Sequence, residues 1–321
     1  MKYLITGGAG FIGSNIAIEI LRRGDQVRIL DNFATGRRQN IDAVTGNFEL
    51  VEGDIRDFWT VAEAMQGVDY VLHQAALPSV VRSVKNPLTS NAVNIDGSLN
   101  VLEAARQAAV KRVVFACSSS VYGESPTLPK VETMKTDPLS PYAISKLAGE
   151  EYCKVYHRLY GLETVALRYF NIFGPRQDPD SQYSAVIPRF IKAVLMGQQP
   201  VIYGDGEQSR DFTYIGNAVS ANLIACTAPN AVGKAYNIAC GQRFTLNQTL
   251  ALIQEILGKR VPTKYVDPRP GDIRHSLADI EAAKRDLGYT VDFDFKTGLK
   301  ETVAWFSKVF ADTTPVGGIK I

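Results

Sequence analysis

The chain opens with a short apolar run, Lys2 to Thr6, that breaks into Gly7-Gly8-Ala9-Gly10-Phe11-Ile12-Gly13 and then enters a helical pattern. No other stretch narrows the possible folds as much. A strand, a glycine-rich turn and a helix in that order form the first half of a nucleotide-binding βαβ unit. Glycine permits the tight turn and lets backbone approach a pyrophosphate. The helix start then offers unpaired N–H groups and the positive end of the helix dipole. A glycine triplet alone also serves a tight turn that holds no ligand. Here Asp31 closes the second apolar run, where an acidic group accepts hydrogen bonds from an adenosine ribose and repels a 2′-phosphate. NAD is therefore expected over NADP. Arg37 and Arg38 lie nearby and would suit the opposite choice, or form a solvated loop.

The pattern continues through the first two-thirds of the chain. Apolar, β-branched runs over 2–6, 26–31, 48–52, 70–74, 112–117 and 164–170 read as strands buried on both faces. Helical stretches over 12–23, 58–66, 87–109 and 142–160 separate them. Such alternation implies an α/β fold, a Rossmann-type doubly wound parallel sheet with right-handed crossovers. Beyond residue 170 Gly, Pro and Asp become frequent, with short helices over 187–196, 246–257 and 279–287. That part reads as a smaller mixed α/β substrate domain. The expected division is 1–170 plus about 211–240 for the nucleotide domain, and 171–210 plus about 241–311 for the second. Residues 235–239 should return to the main sheet as a strand, and 312–321 form a tail.

Composition excludes several classes. The 321 residues carry a formal charge of +2. That balance suggests neither a nucleic-acid nor an anionic-membrane partner. No apolar run is long enough to span a bilayer. The N-terminal run is better read as a strand than as a signal peptide. The four cysteines lack metal-ligand spacing and there are three histidines, so no metal site is expected. A reducing cytoplasm is the expected compartment.

Tyr142-Ala-Ile-Ser-Lys146 places a phenol and an amine on one helix face. An ammonium close to a phenol favours the phenolate, and a cationic nicotinamide ring favours it further. Tyr142 would then act as a general base near neutral pH. Ser118-Ser119-Ser120-Val121-Tyr122-Gly123 follows the fifth strand, at the sheet edge where open α/β folds bind ligands. Asp54, after the third strand, reads equally as an adenine contact or as the N-cap of the next helix.

Together these motifs, with His73-Gln-Ala-Ala76 and Arg168-Tyr-Phe-Asn-Ile-Phe-Gly-Pro-Arg176, resemble the extended short-chain dehydrogenase/reductases, specifically the nucleotide-sugar 4-epimerases. The resemblance runs over almost the whole chain. It implies a catalytic Tyr142, supported by Lys146 and Ser118. It assigns NAD contacts to Gly7, Gly10, Phe11, Ile12, Gly13, Asp31, Asn32, Asp54, Ile55, Ala75, Ala76, Asn94, Tyr142, Lys146 and Phe170. A lysine that often follows in relatives is replaced by Pro78. UDP-sugar contacts fall on Ser79, Ser118, Ser119, Tyr142, Asn171, Tyr203, Arg210, Arg269, Asp272 and Ser276. Arg210 and Arg269 would clamp the diphosphate, Tyr203 would stack on uracil and Asp272 would hold the ribose. Taken singly, each also reads as an ordinary loop residue.

Related dehydratases carry Thr-Asp-Glu at positions 118–120, and related decarboxylases a Glu at 120. Three serines cannot supply a carboxylate acid/base pair. Reversible 4-epimerisation follows. The small Ser276 at the position resembling the sugar gate leaves room for a 2-acetamido group. UDP-GlcNAc/UDP-GalNAc is expected, with UDP-Glc/UDP-Gal also accepted. Rival readings are a UDP-glucuronate 4-epimerase, another nucleotide-sugar oxidoreductase of the same group with an exchanging cofactor, and an NAD-sensing regulatory protein. The resemblance further implies a homodimer paired through a four-helix bundle. Its helices would be 87–109 and 142–160, offering Leu99, Val101, Leu102, Leu147, Tyr152 and Tyr156.

Overall fold

The structure, a computed structural model, describes residues 1–179, 186–268 and 273–313. The first half runs β1 (Lys2–Thr6), α1 (Phe11–Arg22), β2 (Gln26–Asp31), α2 (Arg38–Asp42), β3 (Phe48–Glu52), α3 (Phe58–Ala64) and β4 (Tyr70–His73). It continues through α4 (Val80–Lys85), α5 (Pro87–Asn91), a π-turn over Ala92–Asp96, α6 (Gly97–Gln107), β5 (Arg112–Ser118), α7 (Pro141–Tyr160) and β6 (Glu163–Tyr169). The elements then shorten: β7 (Ile172–Phe173), α8 (Val186–Leu195), β8 (Val201–Tyr203), β9 (Ser209–Arg210), β10 (Thr213–Tyr214) and α9 (Ile215–Ala225). Last come β11 (Lys234–Ile238), β12 (Phe244–Thr245), α10 (Leu246–Leu257), β13 (Lys264–Val266) and α11 (Phe295–Thr313).

Seven strands form one parallel sheet in the order β11-β6-β5-β4-β1-β2-β3. The chain starts in the middle and winds outward in both directions, so the strand order reverses between β1 and β4. Ligands of such sheets bind at that switch point, beyond the carboxyl ends of the strands. The expected doubly wound sheet is present, and its returning strand is β11. One expectation fails at the edge. β3 is half-exposed rather than buried on both faces, because it has a neighbour on one side only.

The helix expected over 87–109 is not continuous. Between α5 and α6 it widens into the π-turn, which carries Asn94 inward. The side chain of Asn94 then accepts the Leu77 N–H at 2.7 Å and donates to the Leu77 carbonyl and to Ser145 Oγ. Single π-turns inside helices often mark functional sites. α7 begins one residue early. Pro141 supplies a fixed φ at the first position, and the Ser140 hydroxyl caps the Ala143 N–H. The expected helix over 279–287 is largely a π-turn at Ala283–Leu287.

Two apolar clusters hold the chain. The larger fills both faces of the sheet and takes in Val113, Val114, Leu167 and Ile238. The smaller joins α8, α10 and α11 through Phe190, Ile191, Leu250, Ile253, Leu299 and Phe306. Ala278, Ile280, Ala283, Leu287 and Tyr289 pack in the larger cluster.

Candidate active site

A cleft of about 830 Å³ opens beyond the carboxyl ends of β1, β2 and β4. Gly7, Gly10, Phe11, Ile12 and Gly13 line one wall. The glycines are needed for the close approach of backbone. Gly7 has φ +71°, and a Cβ there would meet Ala75 backbone at 2.7 Å. A Cβ on Gly13 would lie 2.3 Å from the Gly7 carbonyl. Asn40 of α2 donates to the Ala9 carbonyl and so braces this loop from outside.

Asp31 closes β2 at the cleft floor. Its carboxylate accepts the N–H groups of Ala9 and Phe33, and burial pushes its pKa above the usual range. The two nearby arginines are committed elsewhere. Arg37 pairs with Asp178 at 3.2 Å and Arg38 with Glu52 at 2.8 Å. Asn32, Asp54, Ile55, Ala75 and Ala76 also line the cleft. Asp54 receives hydrogen bonds from Asn32 and Arg56, which hold its pKa down at about 2. It does not cap α3. That task falls to Asp57, whose carboxylate accepts the Trp59 N–H.

Asn94 and Phe170 are buried beside the cleft. Asn94 spends both amide hydrogens and one acceptor site on Leu77 and Ser145. It thereby positions the Leu77 backbone at the cleft wall. The Phe170 ring is buried against Tyr122, and its N–H bonds the Ile238 carbonyl.

Tyr142 and Lys146 of α7 both line the cleft. Ser118, at the end of β5, lies close enough to the Tyr142 hydroxyl to lower its pKa. Ser118 Oγ already accepts from the backbone and hydroxyl of Ser120, so its own proton is available for Tyr142. The expectation that Lys146 lowers the phenol pKa is not met. Burial dominates and pushes Tyr142 up to about 12, with Ser118 opposing it. The buried ammonium takes the Ala116 carbonyl at 2.8 Å and lies 5.1 Å over the Phe115 ring, and burial lowers its pKa to about 8. A further positive charge is needed to make the phenol a base at neutral pH.

On the substrate side, Ser79 lines the same cleft and caps α4. Ser119 begins the 3₁₀ turn after β5. Asn171 adopts φ +40° and donates to the Asp211 carbonyl. Tyr203 ends β8, and Arg210 in β9 reaches the Ser209 carbonyl at 3.0 Å. The Ser276 N–H bonds the Ser209 carbonyl, and His275 Nδ1 lies 2.8 Å from Ser209 Oγ. The segment 275–276 is thereby tied to β9. Arg269 and Asp272 lie outside the described residues.

The sequence from residue 3 to residue 239 matches the model of the NAD-dependent epimerase/dehydratase family. The chain belongs to that family. Its structure resembles a UDP-N-acetylglucosamine 4-epimerase from Methanobrevibacter ruminantium M1, solved with UDP-N-acetylmuramic acid. That match has 43% identity and a TM-score of 0.92 over 96% of this chain and 98% of the other. It resembles a Thermotoga maritima UDP-glucose 4-epimerase with UDP-glucose at 37% identity and TM-score 0.92, over 97% and 100% of the two chains. A UDP-glucuronic acid 4-epimerase from Bacillus cereus, solved with UDP-glucuronic acid and NAD, matches at 32% identity and TM-score 0.89, over 96% and 100%.

The residues present fit the family's cofactor. The Gly7–Gly13 cradle has no room for side chains, and Asp31 offers a carboxylate at the ribose end of the cleft. Arg176, Gln177 and Asp178 also line the cleft, and Ser120 donates to Ser118. A run of three serines was the available signal for Ser120. Arg176 follows a glycine and proline in a loop and adopts φ +70°, which sequence patterning does not disclose.

Proposed function

We propose that this enzyme interconverts the C4 epimers of a UDP-hexose, with UDP-GlcNAc and UDP-GalNAc as preferred substrates and UDP-Glc and UDP-Gal also accepted. The observation that carries the reading is the hydroxyl-only turn at Ser118, Ser119 and Ser120, with Ser118 beside Tyr142. It can move a proton at a sugar hydroxyl but offers no carboxylate for elimination or decarboxylation. The likeness to 4-epimerases over nearly the full chain supports it.

In this mechanism Ser118 donates to the phenolic oxygen and stabilises Tyr142 as the phenolate, which then takes the O4 proton. When bound, NAD supplies the acceptor and donor for the C4 hydrogen, and its positive charge favours the phenolate. Lys146, anchored on the Ala116 carbonyl, would hold a cofactor hydroxyl from the same cleft wall as Tyr142. The planar 4-keto sugar then turns about its diphosphate and is reduced on its other face. Substrate and product have the same oxidation state, so no cofactor need be added. This separates the reading from a net dehydrogenase and from an NAD-sensing protein.

The acetamido preference is supported by Ser276, a small residue fixed by its N–H to the Ser209 carbonyl. The test is proton NMR of the purified protein incubated, without added cofactor, with each UDP-sugar. Conversion of UDP-GlcNAc to its 4-epimer is expected. In Ser276→Tyr that conversion should be lost while UDP-glucose is still turned over. Conversion of UDP-glucose alone by the unaltered protein would refute the preference. The likeness to the Bacillus cereus enzyme favours a second reading, UDP-glucuronate epimerisation. Exclusive conversion of UDP-glucuronate in the same assay would replace the first reading with it.

A further inference from the structure

The cofactor cleft carries a cation that the account above does not use. Arg176 lines the same cleft as the glycine loop. Its Nη1 donates to Asn15 Oδ1 at 3.0 Å, and Asn15 in turn donates to the Phe11 and Pro175 carbonyls. Asn15 sits one turn into α1. It therefore acts as a bracket that fixes the guanidinium beside the start of the helix. The Nε of Arg176 is buried with no acceptor, and no carboxylate pairs with the side chain among the described residues. Of the other basic groups on the cleft, Arg37 pairs with Asp178, Arg56 with Asp54, and Lys146 donates to the Ala116 carbonyl, while Arg82 lines the wall beside Ser79.

A buried donor without an acceptor is costly unless a ligand completes it. Two further features lie on the same segment. Arg176 has φ +70°, a conformation that non-glycine residues hold only when their surroundings impose it, often at functional sites. Gln177 beside it has a buried Oε1, also without a donor. An anion matches the orphaned donor, and a ribose hydroxyl matches the orphaned acceptor. A nucleoside diphosphate offers both. The helix start neutralises a diphosphate only in part, with roughly half a unit of positive charge. A guanidinium at its side supplies the rest through charge-assisted hydrogen bonds.

We infer that Arg176, held by Asn15, binds the diphosphate of the dinucleotide and governs how firmly the enzyme keeps it. The segment is also tied across the cleft by Asp178 to Arg37. The inference rests on the family's use of NAD, and not on which sugar is turned over. The diphosphate of the UDP-sugar is the competing source of the same chemistry. Arg176 shares its cleft with Gly7, Gly10 and Gly13, which favours the dinucleotide.

The test compares wild-type enzyme with Arg176→Gln and Arg176→Lys, purified without added nicotinamide. NAD released on acid denaturation is counted per chain, and NAD binding to stripped protein is titrated by fluorescence in the absence of sugar. Arg176→Gln should weaken NAD binding by about 10- to 100-fold, the loss of a hydrogen bond to a charged group, and lose most bound NAD during purification. Arg176→Lys keeps the charge and should restore part of both. With saturating NAD, the KM for the UDP-sugar should stay at the wild-type value in both variants. Wild-type retention and affinity in Arg176→Gln would overturn the inference. So would a raised sugar KM with full NAD retention, which would move Arg176 to the other diphosphate.

Discussion

In the proposed reaction Tyr142 and Ser118 carry the proton transfer. With its pKa at about 12, the phenol is protonated throughout the neutral range before a cation binds beside it. Replacing Tyr142 by Phe should lower turnover by about 100- to 10,000-fold, the usual scale for a lost general base, with UDP-sugar binding largely kept. Stopped turnover assays and calorimetry check the two halves. A base works deprotonated, so activity falls as pH drops through the holoenzyme pKa of Tyr142. Ser118 lowers that pKa by donating to the phenolic oxygen. Ser118→Ala should therefore move the acidic limb of the kcat profile to higher pH. An unmoved limb would remove Ser118 from this role. The pair was legible because residue type and spacing name it. The supports were not. Ser120 and Asn94 act through hydrogen bonds that depend on a 3₁₀ turn and a π-turn.

At the scale of elements, α7 must hold one register on β5 for the phenol to meet Ser118. A buried network sets that register. Glu150, one turn beyond Lys146, receives two hydrogen bonds from Arg168 of β6 and one from the Cys117 thiol of β5. Arg168 also donates to Tyr122, which in turn bonds Asn237 of β11. Glu150→Ala leaves a buried guanidinium without its partner. It should cost about 3–5 kcal/mol of stability, measured by chemical denaturation. A loss below about 1 kcal/mol would mean that water reaches the pair. The strands were legible because centrally placed parallel strands are apolar along their length. Several helices were not. α9 is buried on nearly every side yet carries Asn217 and Asn222, both committed to hydrogen bonds, so no amphipathic period shows. α4 is too short to show one. The two-residue strands β7, β9, β10 and β12 carry no periodicity at all.

The whole molecule joins a sheet that holds the cofactor cleft to a smaller cluster that carries the Ser209–Ser276 edge. The expected four-helix pairing changes in detail. Val101, Leu102 and Tyr156 are buried within the chain and are not offered to a partner. Leu99, Leu147 and Tyr152 stay partly open. Ile144 on α7 and Leu88 on α5 are more exposed, Leu88 at 82%. Pairing through these helices predicts a mass of twice 35.2 kDa by sedimentation equilibrium, and a single-chain mass would sink it. Among the described residues no helix is long and apolar enough to cross a membrane. The central claim concerns the C4 hydrogen, which must leave and return without meeting water. The most direct measurement follows UDP-GlcNAc and UDP-glucose carrying deuterium at C4, incubated with the purified protein in ordinary water. The account predicts 4-epimers that retain the deuterium at C4. Epimers that have exchanged it for solvent hydrogen would contradict it.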